Sequence, residues 1–340
     1  MEHIKIGIIG AGAVTELLHL PAAQSCPEIQ VSTLVDKSRE RAETLADRFA
    51  VARVSTDYHE LFGQVDGVIN ALPNYLHAPV TVAFLEEGVP ILVEKPMALT
   101  LSEAEGMVRA AKTNGVILQV GHTFRFARGA RLLKRSITEG WLGHLRGFDL
   151  EWGFVGDWPT VSGFFFSKEH AGGGVLFDRG SHMLDLLLWW FGGVFDVIEY
   201  LDDSMGGVEA NCQLSLILQS PTGPVRGSVR LSREHKLRDT VVVRGDRFTI
   251  EYDFSDKVRM WPGASDDKDQ SFVSESTLLP RSRRNGAEQL RAFARAIVTK
   301  GESAVPGESV LGCIALIEQC YRQRRPLELP WMKRHYLETG

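Results

Sequence analysis

Residues 4 to about 122 contain short apolar runs, rich in β-branched residues, that alternate with segments of helical periodicity. The runs are IKIGIIG, VSTLVD, DGVINAL, PILVEK and VILQVGH. Nearly continuous apolar strands separated by helices are typical of a parallel sheet that is covered on both faces. The pattern therefore predicts a doubly wound α/β domain over residues 1–122.

One helix of this half carries recognisable signals at both ends. Ser102 and Glu105 have the spacing of a capping box, in which two side chains satisfy the free N–H groups of the first turn. Gly115 stands where the helical periodicity stops, and glycine is favoured at that position. We expect the helix to begin near Ser102 and to end at Gly115.

The pattern changes after Arg125. Helical periodicity over about 129–139 is followed by a strand near LRGFDLEWGF, an irregular loop, a second helix and then strands with no helices between them. In VEANCQLSLILQ, every second residue is apolar, which is typical of an antiparallel strand with one covered face. Further strands are predicted at VRGSVRLSR, TVVVRG and FTIEYD, and two helices near 286–299 and 307–322. Residues 123–340 therefore form an α+β domain.

Composition and charge narrow the class of protein. The chain has 340 residues, more than one hydrophobic core usually fills, and its net charge of -5 gives no basic field for nucleic acid or anionic lipid. The four cysteines are scattered, so neither a disulfide framework nor a structural zinc site is indicated. We therefore expect no bound metal. No signal peptide or membrane span is recognisable, so we expect a cytoplasmic protein.

The first strand runs into GIIGAGAVTELLHLPA, which contains part of the dinucleotide fingerprint G-x-G-x-x-G. Gly10 and Gly12 match the first two glycines, which permit a tight turn and a close approach of the backbone to a pyrophosphate. Thr15 replaces the third glycine and is expected to loosen the packing of the helix on the strand. Because the motif follows a strand and opens a helix, it predicts dinucleotide binding.

Asp36 ends the second strand, at the place where a carboxylate accepts hydrogen bonds from the adenosine ribose. Its negative charge favours NAD over the 2′-phosphorylated NADP. Lys37, Arg39 and Arg41 follow directly and can neutralise that charge, which leaves NADP as the alternative. A turn or cap residue without a ligand is the other interpretation of Asp36.

The stretch GGGVLFDRGSHMLDLLLWW, residues 172–190, places two aspartates and a histidine in an apolar run. Asp178, His182 and Asp185 are spaced i, i+4 and i+7, so they share one stripe of a helix, which must face polar groups. The residues that fill an apolar stripe are Met183, Leu184, Leu187 and Trp190. The glycines before the helix indicate a close-packed turn, with a phosphate cradle as the weaker alternative.

Four ordered segments together carry a family resemblance. They are GIIGAGAVTELLHLPA, ALPNYLHAPVTVAFLEEGVPILVEKPMALT, VGHTFRF and GGGVLFDRGSHMLDLLLWW. The chain resembles the glucose-fructose oxidoreductase, inositol dehydrogenase and MocA family over almost its whole length. The resemblance implies a Rossmann domain followed by an α+β domain whose open, mostly antiparallel sheet commonly forms the oligomer interface, so a homodimer or homotetramer is expected.

The resemblance also implies a set of site residues. The family's EKP motif falls on Glu94, Lys95 and Pro96, where the peptide before proline is expected to be cis, and its catalytic Asp and His fall on Asp178 and His182. The predicted catalytic residues are Lys95, Asp178 and His182. The predicted cofactor-binding residues are Gly10, Gly12, Ala13, Val14, Asp36, Lys37, Leu72, Asn74, His77, Glu94 and Lys95. The predicted substrate-binding residues are Arg125, Trp158, Asp178 and His182.

These residue types suit hydride transfer between a nicotinamide and a carbinol carbon. His182 is expected to exchange the hydroxyl proton, since histidine titrates near neutral pH, and Asp178 is expected to orient its imidazole. Lys95 is expected to stabilise developing alkoxide charge. The non-functional alternatives are that Lys95 is an exposed lysine before a proline, and that Asp178 and His182 are a helix cap and a core histidine. Asp185 is interpreted as a structural acceptor, with a substrate contact as the alternative.

The expected activity is NAD(P)-dependent oxidation or reduction of a sugar, an inositol or a nucleotide-linked sugar, a substrate class that rests on the resemblance alone. Two other functions occur in the family. A glycosidase that retains its NAD would release sugar without net formation of NADH. A non-catalytic dinucleotide sensor would bind the cofactor without turnover, but the presence of Lys95, Asp178 and His182 favours the enzyme.

Overall fold

The computed structural model of the protein describes residues 3–155, 163–205, 207–263, 272–274 and 281–327. The first sheet has six strands in the order β3-β2-β1-β4-β5-β6, all parallel. Its strands are β1 Ile4–Ile9, β2 Ile29–Val35, β3 Arg53–Ser55, β4 Gly67–Asn70, β5 Ile91–Val93 and β6 Leu118–Val120. Its helices are α1 Leu20–Ala23, α2 Arg39–Phe49, α3 His77–Glu86 and α4 Leu101–Asn114.

This strand order reverses between β1 and β4, because β2 continues on one side of β1 and β4 begins the other side. In open α/β sheets, ligands bind at the carboxyl ends of the strands beside such a reversal. The prediction of a doubly wound Rossmann sheet is confirmed. The three-residue strand β3 was not predicted, because an edge strand that short has no readable alternation.

The capping box of α4 lies two residues earlier than predicted, so the prediction of Ser102 and Glu105 is wrong. Thr100 accepts a hydrogen bond from the backbone N–H of Glu103, and the Glu103 carboxylate accepts one from the N–H of Thr100, each 3.2 Å long. Both pairs match the same S/T-x-x-E pattern, and the helix takes the earlier one because it extends to Leu101. Gly115 ends the helix with φ +64°, as predicted.

The second sheet has nine strands in the order β14-β13-β12-β11-β7-β10-β9-β8-β15. The strands are β7 Leu145–Gly153, β8 Phe195–Asp202, β9 Asn211–Ser220, β10 Gly223–Ser232, β11 Thr240–Gly245, β12 Phe248–Asp253, β13 Val258–Pro262, β14 Phe272–Ser274 and β15 Arg325–Pro326. The pairs β7 with β10 and β8 with β15 are parallel and the others antiparallel, which confirms a mostly antiparallel sheet.

Helices of this part of the chain pack on the second sheet or return to the first. They are α5 Arg128–Thr138, α6 Lys168–Ala171, α7 Ser181–Phe191, α8 Arg281–Thr299 and α9 Leu311–Arg322. Helices α5, α7 and α9 contact β12, β9 and β8. Helix α8 instead packs on α1, where Leu290 and Phe293 join the core of the first sheet. Within the described residues, no helix is long and apolar enough to cross a lipid bilayer.

The helix predicted from the opening stretch is α7, preceded by a π-helical turn at Leu176–Gly180. The four residues assigned to its apolar stripe, Met183, Leu184, Leu187 and Trp190, are all fully buried. Asp178 lies in the π-helical turn and His182 in the first turn of α7. The core stripe therefore fixes which way the polar stripe faces.

Candidate active site

The turn between β1 and the first helix fits the pyrophosphate of a dinucleotide. Gly10 has φ +102°, and a Cβ at this position would lie 2.5 Å from the carbonyl oxygen of Ala71, so only glycine fits. At Gly12, a Cβ would meet no described atom within 4 Å, which leaves the backbone open to a ligand. Ala13 and Val14 follow as the first helical residues, whose N–H groups face the N-terminal end.

Thr15 does not loosen the packing of this helix, so that expectation is wrong. Its side chain is fully buried, and its hydroxyl donates a 2.5 Å hydrogen bond to the carbonyl oxygen of Gly10. The helix takes a π-helical turn over Thr15–His19 at the same place. In the fingerprint, the third glycine lets the helix pack closely on the strand. Here the hydroxyl of Thr15 connects the helix to the glycine turn by a hydrogen bond.

Asp36 lies beside this turn, at the end of β2. Its carboxylate accepts hydrogen bonds from the N–H of Ala11 at 2.7 Å and from the N–H of Ser38 at 2.8 Å. Arg41 lies 3.8 Å away, and Lys37 is exposed. A cavity next to the carboxylate is lined by Ser38, Arg41 and Arg48, among other residues. This is the side of the turn on which an adenosine ribose would lie.

Lys95, Asp178 and Arg233 form an ion-pair cluster between the two parts of the chain. The ammonium nitrogen of Lys95 lies 2.8 Å from Oδ1 of Asp178 and 2.9 Å from its backbone oxygen. The other carboxylate oxygen accepts a 3.1 Å hydrogen bond from Nη2 of Arg233. Burial acts to raise the pKa of Asp178, but the charges of Lys95 and Arg233 outweigh it and hold the pKa below its usual value.

Asp178 is predicted to orient the imidazole of His182, and in the structure its carboxylate contacts Lys95 and Arg233. Both carboxylate oxygens are engaged by cations, one from each side. Arg233 was not singled out in the sequence, because it follows β10 and has no motif around it. Only the tertiary structure brings Arg233 to a helix more than 50 residues earlier in the chain.

Glu94, the residue before Lys95, contacts both the backbone of Lys95 and the side chain of His19. Its carboxylate lies 2.9 Å from Nε2 of His19 and accepts a 3.1 Å hydrogen bond from the N–H of Lys95. Burial acts to raise the pKa of Glu94, whereas the hydrogen bond and charge of His19 lower it, with a net lowering. A buried carboxylate therefore ties the helix after the glycine turn to the loop that carries Lys95.

The loop after β4 is tied to the same region by His77 and Asn74. The imidazole of His77 lies between the carbonyl oxygens of Leu72 at 2.8 Å and Pro96 at 2.7 Å, and the Lys95–Pro96 peptide is cis. Burial lowers the pKa of His77. The amide of Asn74 donates a 2.8 Å hydrogen bond to the carbonyl oxygen of Ala171, in α6. These contacts fix the backbone on both sides of Lys95.

His182 lies in the first turn of α7 among aromatic rings. Its ring centroid is 4.7 Å from that of Phe124, 5.9 Å from that of His122 and 6.4 Å from that of Trp152. His182, Phe124 and Trp152 are each partly exposed, so a ligand can reach them from solvent. Phe124 and Trp152 were not singled out as site residues in the sequence, because aromatic residues at these positions are indistinguishable from core residues. The predicted substrate residue Trp158 lies outside the described residues.

Arg125 and Asp185 form a buried pair one turn further along α7. Nε and Nη2 of Arg125 donate to the two carboxylate oxygens of Asp185 at 2.8 and 2.6 Å, and Asp185 is 1% exposed. Arg125 also donates to Ser309, before α9. His122 lies 3.5 Å from the same carboxylate, and burial lowers its pKa to about 4. The network sets the position of α7, and with it His182, against the end of β6.

The glycine run 172–174 forms the predicted close-packed turn. A Cβ at Gly173 would lie 2.0 Å from the hydroxyl of Tyr321. The N–H groups of Gly174 and Leu176 both donate 2.9 Å hydrogen bonds to the carboxylate of Glu209, a buried residue. A protein carboxylate therefore occupies the position that the weaker alternative gave to a phosphate.

Comparison with known proteins agrees with this architecture. Residues 4–122 match the family model described as the oxidoreductase family with an NAD-binding Rossmann fold, and residues 130–251 match the GFO/IDH/MocA C-terminal domain. The prediction of a nicotinamide dinucleotide as the cofactor of the first domain is thereby confirmed. The choice between NAD and NADP stays a prediction.

Two curated relatives and one solved structure illustrate the similarity. The scyllo-inositol 2-dehydrogenase (NADP(+)) IolW of Bacillus subtilis is 31% identical over 194 residues, which cover 56% of this chain and 53% of that protein. The D-glucoside 3-dehydrogenase of Escherichia coli is also 31% identical over 194 residues, 56% of this chain and 54% of that one. The chain thus matches about half the length of these relatives.

An aldose-aldose oxidoreductase from Caulobacter crescentus, solved with glycerol, superimposes with a TM-score of 0.82 at 23% identity, over 95% of this chain and 97% of that one. At this identity the likeness establishes the fold alone. The two family models, however, match consecutive parts of the chain. The first match contains Lys95, and the second contains Asp178 and His182. The chain belongs to the GFO/IDH/MocA family of NAD(P)-dependent oxidoreductases.

Proposed function

We propose that the protein is an NAD(P)-dependent dehydrogenase or reductase that acts on a CH–OH group of a sugar, an inositol or a related polyhydroxylated ring. The observation that carries the proposal is the 2.8 Å contact between the ammonium of Lys95 and the carboxylate of Asp178. This contact joins the carboxyl end of β5 to the helix of His182, so groups from both domains line one cleft. A cofactor on the glycine turn and a polyol on the aromatic side would meet there.

The bound cofactor would supply the hydride acceptor or donor, and the side chains would manage the proton and the charge. His182 exchanges the proton of the reacting hydroxyl, because an imidazole can act as base and acid near neutral pH. Lys95 donates a hydrogen bond to the reacting oxygen and stabilises its negative charge. Asp178 keeps its charge over a wider pH range than an ordinary carboxyl, since its pKa is lowered, and holds Lys95 in place.

The rings around His182 support a polyhydroxylated ring as the substrate. Phe124 and Trp152 present partly exposed faces beside the imidazole. The C–H face of a sugar or inositol ring is apolar and can cover such rings, while its hydroxyl groups reach the polar side of the cleft. The two curated relatives named above act, by their names, on an inositol and on a glucoside.

The activity is tested by incubating the purified protein with NAD and a panel of sugars, inositols and sugar acids, while NADH is followed by its absorbance. We expect NADH to form with at least one member of the panel and none to form without a polyol. Tight binding of NAD together with no NADH formation from any member, and no NAD formation from NADH with the corresponding keto compounds, would contradict the proposal.

Cofactor preference is tested by Asp36→Ser. We expect the wild-type protein to bind NADH more tightly than NADPH, because the carboxylate repels the 2′-phosphate, and the variant to shift this ratio toward NADPH by roughly tenfold or more. Arg41 and Arg48 line the adjacent cavity and would accept the phosphate. Dissociation constants come from titrations that follow nicotinamide fluorescence.

The matched control for this test is Glu43→Ser, which removes an exposed carboxylate from α2, the helix that follows Asp36. It is expected to leave the ratio of the two dissociation constants unchanged. An equal ratio in the wild-type protein and in Asp36→Ser would show that Asp36 does not select the cofactor.

A further inference from the structure

We infer that the substrate carries an anionic group, a carboxylate or a phosphate, and that the guanidinium of Arg233 binds it. The inference rests on the proposed function, since it assigns a substrate class to the same cleft. Three observations carry it: the charge balance of the cluster around Asp178, the unused hydrogen-bond donors of Arg233, and the place of Arg233 in the sheet.

The cluster around Asp178 holds more positive than negative charge. Lys95 and Arg233 both contact the one carboxylate of Asp178, which leaves the three side chains with one excess positive charge. Two other carboxylates lie nearby. Asp185 pairs with Arg125, and Glu94 lies 2.9 Å from His19 and accepts a hydrogen bond from the backbone N–H of Lys95. Oxidised nicotinamide adds a further positive charge in such a cleft, so an anionic substrate would improve the charge balance.

Arg233 uses only part of its hydrogen-bonding capacity. Its Nη2 donates to Asp178 at 3.1 Å and to the carbonyl oxygen of Gly174 at 3.3 Å. Within the part of the chain that the structure describes, its Nε and Nη1 groups donate to no protein acceptor. The side chain is 21% exposed, so these donors remain accessible to a ligand. A planar guanidinium with free N–H groups is the side chain best suited to bind a carboxylate or a phosphate.

Arg233 also lies at the substrate end of the second sheet. It directly follows β10, where Leu231 is paired with Trp152 of β7, one of the rings beside His182. Arg233 and Lys95 contact opposite oxygens of the same carboxylate. An anionic group on Arg233 would therefore lie near the ring whose hydroxyl faces Lys95 and His182, on the side of the second domain.

A purely structural role for Arg233, as a partner that holds Asp178, predicts a different outcome. In that case, loss of the guanidinium would lower the turnover of charged and neutral substrates by the same factor. The ratio between an acid and its uncharged analogue of the same shape separates the two roles, because the contribution through Asp178 cancels in the ratio.

The experiment compares uronic acids with their amides. D-Glucuronate and D-galacturonate are assayed with NAD beside D-glucuronamide and D-galacturonamide, and kcat/KM is measured for each. Glucose 6-phosphate and galactose 6-phosphate, beside glucose and galactose, form a second arm that distinguishes a phosphate from a carboxylate. The binding of every compound to the NADH-loaded protein is measured by calorimetry, so that affinity is obtained even for compounds that are not oxidised.

We expect the wild-type protein to favour the anionic member of at least one pair by about tenfold or more, in kcat/KM or in affinity. In Arg233→Gln this preference should fall to near unity. The control Arg109→Gln removes an exposed guanidinium from α4 and should keep the wild-type preference. The preference should also weaken as salt is added, because it arises from charge.

Two outcomes overturn the inference. One is equal or weaker binding of the anionic member in every pair, including no binding of any anionic compound. The other is a preference that persists unchanged in Arg233→Gln. Oxidation of neutral sugars with either result leaves the proposed function standing. Absence of turnover with every compound contradicts the proposed function, and the affinities then decide the inference by themselves.

Discussion

Lys95→Ala is expected to lower turnover by about a hundredfold or more while the affinity for NADH changes little. The ammonium supplies the hydrogen bond that stabilises charge on the reacting oxygen, an interaction stronger in the transition state than in the bound substrate. It also contacts Asp178 at 2.8 Å, so its loss leaves that carboxylate with Arg233 alone. The measurements are kcat at saturating substrate and a fluorescence titration with NADH.

Lys112→Ala is the control for this prediction, since Lys112 is exposed on α4 and should not affect turnover. His182→Ala should show a loss similar to that of Lys95→Ala, because it removes the group that exchanges the hydroxyl proton. Turnover at the wild-type rate in either active-site variant would remove that residue from its proposed role. A large loss of NADH affinity would instead assign the residue to cofactor binding.

Asp185→Ala is expected to lower the free energy of unfolding by about 3–5 kcal/mol, because it leaves the buried guanidinium of Arg125 without its carboxylate. Asp185 is 1% exposed and Arg125 is 6% exposed, so water replaces the lost partner poorly. The variant should also lose activity, since Asp185 lies one turn after His182 on α7. The measurement is unfolding in urea, followed by the fluorescence of the tryptophans.

Glu139→Ala provides a contrast for this result. It breaks the Arg135–Glu139 pair, whose nitrogen and oxygen are 2.7 Å apart but whose side chains are 65% and 45% exposed. We expect a loss of less than about 1 kcal/mol, because solvent already screens exposed ion pairs. Equal urea midpoints for Asp185→Ala and Glu139→Ala would mean that the buried pair does not hold α7 in place.

The strands and helices with a clear periodicity could be predicted from the sequence. The strands TVVVRG and FTIEYD have the predicted bounds, and the alternation in VEANCQLSLILQ corresponds to β9, where Cys212, Leu214, Leu216 and Leu218 are buried. Strand β8 was not predicted, because its pairing with β9 shifts between Val197 and Glu199 and the alternation of buried residues is broken there. The edge strands β3, β14 and β15 have two or three residues each and show no alternation in the sequence.

The candidate site could be predicted only in part, because some of its residues belong to no short-range pattern. Some site residues belong to local patterns, which can be recognised in the sequence. These patterns are the glycines at fixed spacing, the segment around Lys95 and the helical stripe of Asp178 and His182. Arg233, His122, Phe124 and Trp152 belong to the site through contacts between residues that are distant along the chain. Such residues look like ordinary surface or core positions until the chain is folded.

The sequence by itself determined the two kinds of sheet, the glycine turn for a dinucleotide and the residues that carry the family resemblance, because each depends on short-range spacing that the backbone geometry imposes. Only the tertiary structure decided which charges meet. It placed Asp178 between Lys95 and Arg233, and it matched Asp185 with Arg125. The physical reason is that a buried charge takes as its partner whichever opposite charge the packing of the helices and sheets brings within about 3–4 Å, whatever their separation along the chain.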